Sequence, residues 1–227
     1  MHALLTHGTF LQFANSHVAS TQVSHIAIID CGISNVGSVR NALEFLGLRL
    51  RLARVPEDLN GCSHIILPGD GSFPVGMQRL RANNLDEAIC VAVRRGTPLL
   101  GICLGMQMLA EQGHEFELTR GLELTCGQVV RMTPNDPKLP VPQIGWNDVN
   151  FYRETRLSTG LGPGASFYFM QSYAFADPSA SAVAGVCDYG GPVVAAIEQG
   201  HVFGVQFHPE KSQQAGLTVL KNFAKFN

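Results

Sequence analysis

Several things are missing from this 227-residue sequence, and each absence removes a class of protein. No apolar run approaches the roughly 18 uninterrupted residues of a membrane-spanning helix, so no membrane association is expected. Runs of like charge, low-complexity tracts and internal repeats are absent too, which argues against charged tails and repeat arrays. The net charge is −2, without the basic footprint of a nucleic-acid binder. The cysteines at 31, 62, 90, 103, 126 and 187 form no C-x-x-C pair. Met1 to Ser24 contains no Lys, Arg, Asp or Glu. It therefore lacks the basic start of a secretory signal and the arginines of a transit peptide. Without such a signal the thiols read as reduced and the protein as cytoplasmic, with neither a disulfide framework nor a metal site. Residues 1–24 are expected to be an extension of unknown role, and residues 25–227 one α/β domain. At 45% hydrophobic content the chain can fill one sizeable core.

What is present alternates. His25 to Asp30 is a short apolar run of buried-strand type. Val36, Val39, Leu43 and Leu46 are spaced as one helix face, stopped by Gly47. Leu48 to Leu52 alternates at period two, and Ser63 to Leu67 is a third strand. Pro68 to Pro74 is a glycine-bearing loop, and Leu85 to Arg95 an amphipathic helix ended by Gly96 and Pro98. Strand-helix alternation predicts a mostly parallel sheet with helices on both faces. After Gly113 the pattern becomes more antiparallel. Strands are expected over 127–132, 167–173, 182–187, 193–198 and 202–207, the last two paired through Gln199-Gly200. A closing helix is expected from Gln213 to Phe226.

Pro98-Leu99-Leu100-Gly101-Ile102-Cys103-Leu104-Gly105-Met106-Gln107 carries the first chemical signal. A buried strand ends at one cysteine, and Met106 to Glu111 reads as the helix that follows. Glycines stand two residues away on each side. That is the pattern of a nucleophile elbow, where a larger side chain would strike neighbouring backbone. The helix N-terminus would favour thiolate, and the Leu104 N–H would face an oxyanion. A buried structural cysteine at an ordinary turn fits the same residues, and a second stretch decides between the two.

That stretch is Gly204-Val205-Gln206-Phe207-His208-Pro209-Glu210. Pro209 ends a strand and biases His208 to extended geometry. His208 and Glu210 can then lie at the strand's carboxyl end, where open α/β sheets bind ligands. A thiol nucleophile needs an imidazole to move its proton and a carboxylate to orient that imidazole. Cys103, His208 and Glu210 are therefore the candidate catalytic triad.

The G-I-C-L-G-M-Q and F-H-P-E stretches resemble the class I (triad) glutamine amidotransferases. Pro142-Gln143-Ile144-Gly145-Trp146-Asn147 and His208-Pro209-Glu210-Lys211-Ser212 narrow the resemblance. They are similar to the glutaminase subunits of imidazole glycerol phosphate synthase. The match runs from about Ile26 to the C-terminus. It implies a central, mostly parallel mixed sheet flanked by helices, with an additional antiparallel portion in the C-terminal half. It also implies hydrolysis of glutamine to glutamate and ammonia without a cofactor. The ammonia would pass to a (β/α)₈ cyclase subunit in a heterodimer, which makes imidazole glycerol phosphate and AICAR in histidine biosynthesis.

By the same resemblance Gly69, Asp70 and Leu104 would form the oxyanion hole. Gln107, Ser172 and Tyr173 would hold the glutamine α-groups, and Trp146, Asn147 and Lys211 would lie toward the partner. Taken without the resemblance, Trp146 reads as a core aromatic, and Gln107 and Lys211 as solvated surface. Four positions depart from the family pattern: Cys31, Ser34, Asp70 and Gln171. A carboxylate at Asp70 would repel a developing oxyanion unless turned away. Three other readings stay open. They are a paralogous subunit feeding a different synthase, such as a sugar-amidinating one, a stand-alone hydrolase of the same fold, and a non-catalytic binding protein.

Overall fold

The computed structural model describes residues 25–226 apart from 33, 153 and 154. The expected extension over residues 1–24 lies outside the described residues. In chain order the strands and helices are β1 (His25–Ile29), α1 (Val36–Phe45), β2 (Leu50–Ala53), β3 (Cys62–Gly69), α2 (Phe73–Ala82), α3 (Leu85–Arg94), β4 (Leu99–Cys103) and α4 (Leu104–Gln107). There follow β5 (Gln112–Gly113), β6 (Thr119–Arg120), β7 (Gln128–Arg131), β8 (Gln143–Phe151), β9 (Ala165–Gln171), β10 (Tyr173–Ala176), β11 (Val183–Asp188), β12 (Pro192–Gln199), β13 (Val202–Val205) and α5 (Gln213–Ala224).

Nine strands form the main sheet in the order β2-β1-β3-β4-β13-β12-β11-β8-β9. The first five run parallel, and the rest add antiparallel. A smaller sheet has the order β10-β7-β5-β6. Successive residues of a strand face opposite sides, and the core divides accordingly. Ile26 and Ile28 pack with Val39 and Leu43 of α1 and with Val219 and Phe223 of α5. Ala27 and Ile29 pack on the other face with Met77 and Leu80 of α2 and Ile89 of α3. Coverage on both faces is why β1 and β4 are near-continuous apolar runs. Among the described residues no helix is long and apolar enough to cross a membrane.

Strand order positions the site. β3, β4 and β13 are neighbours, all parallel, so their carboxyl ends share one edge of the sheet. Gly69 ends β3 level with Cys103, and Val205 of β13 is level with Ile102. His208, three residues beyond Val205, is thereby delivered to the cysteine from a distant part of the chain. The hairpin through Gln199-Gly200 forms as expected, with Gln199 paired to Val202.

Two local expectations are corrected, and one helix lies outside them. The helix after Cys103 covers only Leu104–Gln107, rather than 106–111. The carbonyls of Met108, Leu109, Ala110 and Glu111 accept from the N–H groups of residues 121–125 instead of from a next helical turn. All three apolar residues there are fully buried, so no exposed helix face exists. The strand expected over 167–173 breaks at Ser172 and changes sheets. Finally, α2 was not anticipated. Phe73, Met77 and Leu80 have helical spacing, but the preceding glycines dominate a local reading.

Phe207 ties this architecture to the site. Its ring stacks on Phe167 at 4.0 Å between centroids and meets the edge of Phe169 at 5.8 Å. Phe207→Ala is expected to lower the unfolding free energy by about 3–5 kcal/mol, read as a lower urea midpoint at unchanged slope. An unchanged midpoint would show that the cluster does not stabilise the sheet edge.

Candidate active site

Cys103 ends β4 with φ 55° and ψ −114°, a conformation that L residues rarely adopt. The glycines around it make this possible. A Cβ on Gly105 would stand 1.7 Å from the Leu67 carbonyl oxygen, and one on Gly101 2.6 Å from that of Gly105. The elbow is thus wedged against β3. With α4 only one turn long, what it offers the sulfur is local N–H groups, not a long helix dipole.

His208 faces the elbow from the end of β13. Its Nδ1 lies 2.8 Å from Glu210 Oε1, and the two side chains are 3% and 4% exposed. Nε2 is enclosed without a hydrogen bond to any protein group, yet Cys103 is close enough to act on the ring. Burial by itself pushes the imidazole pKa down. Interaction with Cys103 and the hydrogen bond to Glu210 outweigh burial and raise it to about 10. The backbone of β9 anchors this loop. His208 N–H donates to Tyr168 O at 2.9 Å. Ser212 Oγ accepts from Tyr168 N–H at 3.0 Å and donates to His208 O at 2.6 Å.

In front of Cys103 lies a pocket of about 230 Å³, lined by Asp70, Gly71, Leu104, Gln107, Glu115, Pro142, Met170, Gln171, Ser172 and Tyr173. Gln107 Nε2 donates to Tyr173 O at 2.9 Å and to Gln206 Oε1 at 3.0 Å. Both of its protons are committed, so the amide offers a ligand its oxygen. Glu115 Oε2 accepts from the Phe73 N–H at the start of α2, at 2.8 Å. The Cys103 thiol itself faces Met170 O at 3.8 Å. Motif and spacing assign no role to Glu115, Met170, Ser212 and Gln206. Ser212 and Gln206 do stand inside the quoted motifs, Gln206 as an amide in an otherwise apolar run.

The remaining expected residues divide. Gly69, Leu104, Ser172 and Tyr173 all border the elbow or the pocket. Asp70 also lines the pocket, with Oδ2 accepting from Asn35 N–H at 3.0 Å. Trp146 is 50% exposed and meets the Tyr168 ring edge-on, and Lys211 Nζ stands 5.7 Å over that same ring. Asn147 alternates to the opposite strand face, where its amide donates to Asp188 O at 2.8 Å. Gln171 is buried, and its Nε2 donates to Gln143 Oε1 at 2.9 Å. Cys31 is buried, and Ser34 Oγ is enclosed. Among the described residues no three His, Cys, Asp or Glu side chains are grouped to hold a metal ion.

A thiol, an imidazole and a carboxylate in line, beside a pocket with acceptor groups, can perform acyl transfer from a small amide. The sequence matches the family described as "Glutamine amidotransferase class-I" over residues 27–226, and the chain belongs to that family. Within it, the chain is similar to "Imidazole glycerol phosphate synthase subunit HisH 2" of Nitrobacter winogradskyi. The two are 39% identical over 211 residues, 90% of this chain and 100% of the relative. The subunit HisH of Moorella thermoacetica is 42% identical over 200 residues, 88% of this chain and 94% of its own. Two solved structures share the fold. "Structure of PurLQS from Thermotoga maritima" has a TM-score of 0.68 at 19% identity, covering 88% of this chain and 97% of that one. "Crystal structure of glutamine amidotransferase" has a TM-score of 0.67 at 21% identity, covering 87% and 98%.

The His208 pKa is higher in the fold than its ordinary 6.5. The group therefore stabilises the fold fully below about pH 6.5, and that contribution is lost as pH rises through about 10. Glu210→Gln weakens one of the two interactions that raise it. Its stability deficit is expected to be about 1.5–3 kcal/mol near pH 6 and to shrink toward pH 10, measured by denaturant unfolding. A deficit that grows with pH would contradict this account of the ring.

Proposed function

We propose that this chain is the glutaminase subunit of an imidazole glycerol phosphate synthase, supplying ammonia for histidine biosynthesis. Identity of 39% and 42% across nearly the whole length of two relatives with that name supports the pathway. The buried Cys103, His208 and Glu210 set beside the pocket carries the chemistry.

In this reading the Cys103 thiolate attacks the glutamine side-chain amide carbon. The carbonyl oxygen gains charge and faces the Leu104 N–H with the backbone at Gly69 and Asp70. Asp70 Oδ2 remains tied to Asn35, which leaves peptide groups as the donors. The carbon–nitrogen bond breaks as His208 Nε2 gives its proton to the leaving nitrogen. Ammonia departs, and a thioester to Cys103 remains. Acylation removes one of the two interactions that hold the imidazole protonated, which weakens its hold on the proton. Neutral His208 takes a proton from water, the hydroxide displaces sulfur, and the proton returns to the thiol as glutamate leaves. Gln107 Oε1 and the Glu115 carboxylate suit the α-ammonium, with the Ser172-Tyr173 backbone beside the α-carboxylate.

Released ammonia would become ammonium in bulk water, so a docked synthase is part of the proposal. Ile144 and Trp146 of β8 pair in register with Met170 and Tyr168 of β9. Ile144, Trp146 and Met170 are 61%, 50% and 39% exposed, an apolar strip running from the pocket mouth to Lys211. Such a strip fits a partner surface of (β/α)₈ type, as the resemblance implies. Asn147, turned to the other face, would support the strand from behind.

Three measurements test the reading. Cys103→Ala is expected to abolish glutamine-dependent synthesis by the complex while leaving ammonia-dependent synthesis intact; loss of both, or of neither, contradicts it. The isolated chain is expected to hydrolyse glutamine slowly and to accelerate once the synthase and its substrate are added. Trp146→Ala should weaken the complex by about 2 kcal/mol, roughly thirtyfold in Kd by titration calorimetry. Full turnover without the synthase, unchanged on adding it, would overturn the coupling.

A further inference from the structure

Gln206 is fully buried between Val205 and Phe207, at the end of the strand that delivers His208. An amide in such a place requires partners, and its partners are directional. The direction is set far away, at Tyr173. A backbone carbonyl only accepts, so the end of the Gln107 amide that meets Tyr173 O must be Nε2. The same nitrogen meets Gln206, so the end of Gln206 facing it must be Oε1. Nε2 of Gln206 is therefore the end that faces Cys103, at 3.8 Å from Sγ.

We propose that Gln206 is a positioning residue of the reaction, donating an N–H to the Cys103 sulfur and favouring the attacking thiolate over the thiol. The inference rests on the reading of Cys103 as the nucleophile. The Met170 carbonyl also lies at the sulfur, and it can only accept from the thiol proton. Loss of that proton leaves the carbonyl facing a negative sulfur, whereas a donor hydrogen bond strengthens when its acceptor becomes charged. The titratable groups around the sulfur are His208, with Glu210 behind it, and Asp70 and Glu115 in the pocket wall. Both wall carboxylates oppose a thiolate. Gln206 offsets them without adding a group that titrates. A side chain needed only for volume would be served by methionine.

The test is the pH profile of Cys103 alkylation by iodoacetamide in the full-length chain, followed on the peptide containing Cys103. Gln206→Met is expected to move the midpoint up by about one pH unit, the scale of one hydrogen bond to a charged group. Gln206→Glu keeps the oxygen that Gln107 donates to and puts a carboxylate beside the sulfur, so its midpoint should move up further. It also serves as the test if the methionine variant does not fold. In both variants the kcat for glutamine should fall more than KM rises. A folded variant whose midpoint is unmoved or lower overturns the inference. The wild type separates the two levels. If 6-diazo-5-oxo-norleucine fails to label its Cys103, the nucleophile reading falls and takes this inference with it. A labelled wild type with unmoved variants sinks the role of Gln206 alone.

Discussion

The site depends on one backbone constraint, the left-handed turn at Cys103 pressed against the end of β3. A residue at φ 55° and ψ −114° is held there by its surroundings, since its own preferences oppose the conformation. Leu67 O fills the space where a Cβ of residue 105 would be, and Gly105 O fills that of residue 101. The sulfur is consequently carried on main chain that cannot relax sideways. Every other element of the site is placed relative to it. β3 brings Gly69 alongside, and β13 brings the imidazole.

Electrostatics complete what sterics begin. His208 lies between a carboxylate and a thiol in a nearly dry site, and their combined pull exceeds the effect of desolvation. One of those two neighbours is consumed when an acyl group forms on sulfur. In the proposed reaction a single ring can thereby serve first as acid and then as base. The loop that holds it is tied to β9 through Tyr168 and Ser212.

The parts of this arrangement that were legible in the sequence are local ones. Gly101, Cys103 and Gly105 announce a tight turn because the steric requirement is contained in five residues. His208, Pro209 and Glu210 announce a strand end for the same reason. The mixed sheet could be read from apolar runs and from their change of character after Gly113. What escaped the reading depends on distant partners. The helix after Cys103 stops early because residues 121–125 capture its carbonyls. The direction of the Gln206 amide is decided by a carbonyl at Tyr173, and Glu115 reaches the pocket by capping α2. Trp146 and Asn147 are a different case. Adjacent in a motif, they were grouped together, although strand alternation sends them to opposite faces.

That alternation makes β8 an element of fixed length. Ile144 and Trp146 look outward, while Gln143 lies inside against Gln171. Exchange of any one of these residues disturbs one face only. Insertion or deletion of a single residue would turn the tryptophan into the interior and expel the glutamine in the same step. In a lineage of such proteins this hairpin can drift in composition but is barred from drifting in size, and indels should accumulate in the loops at its two ends.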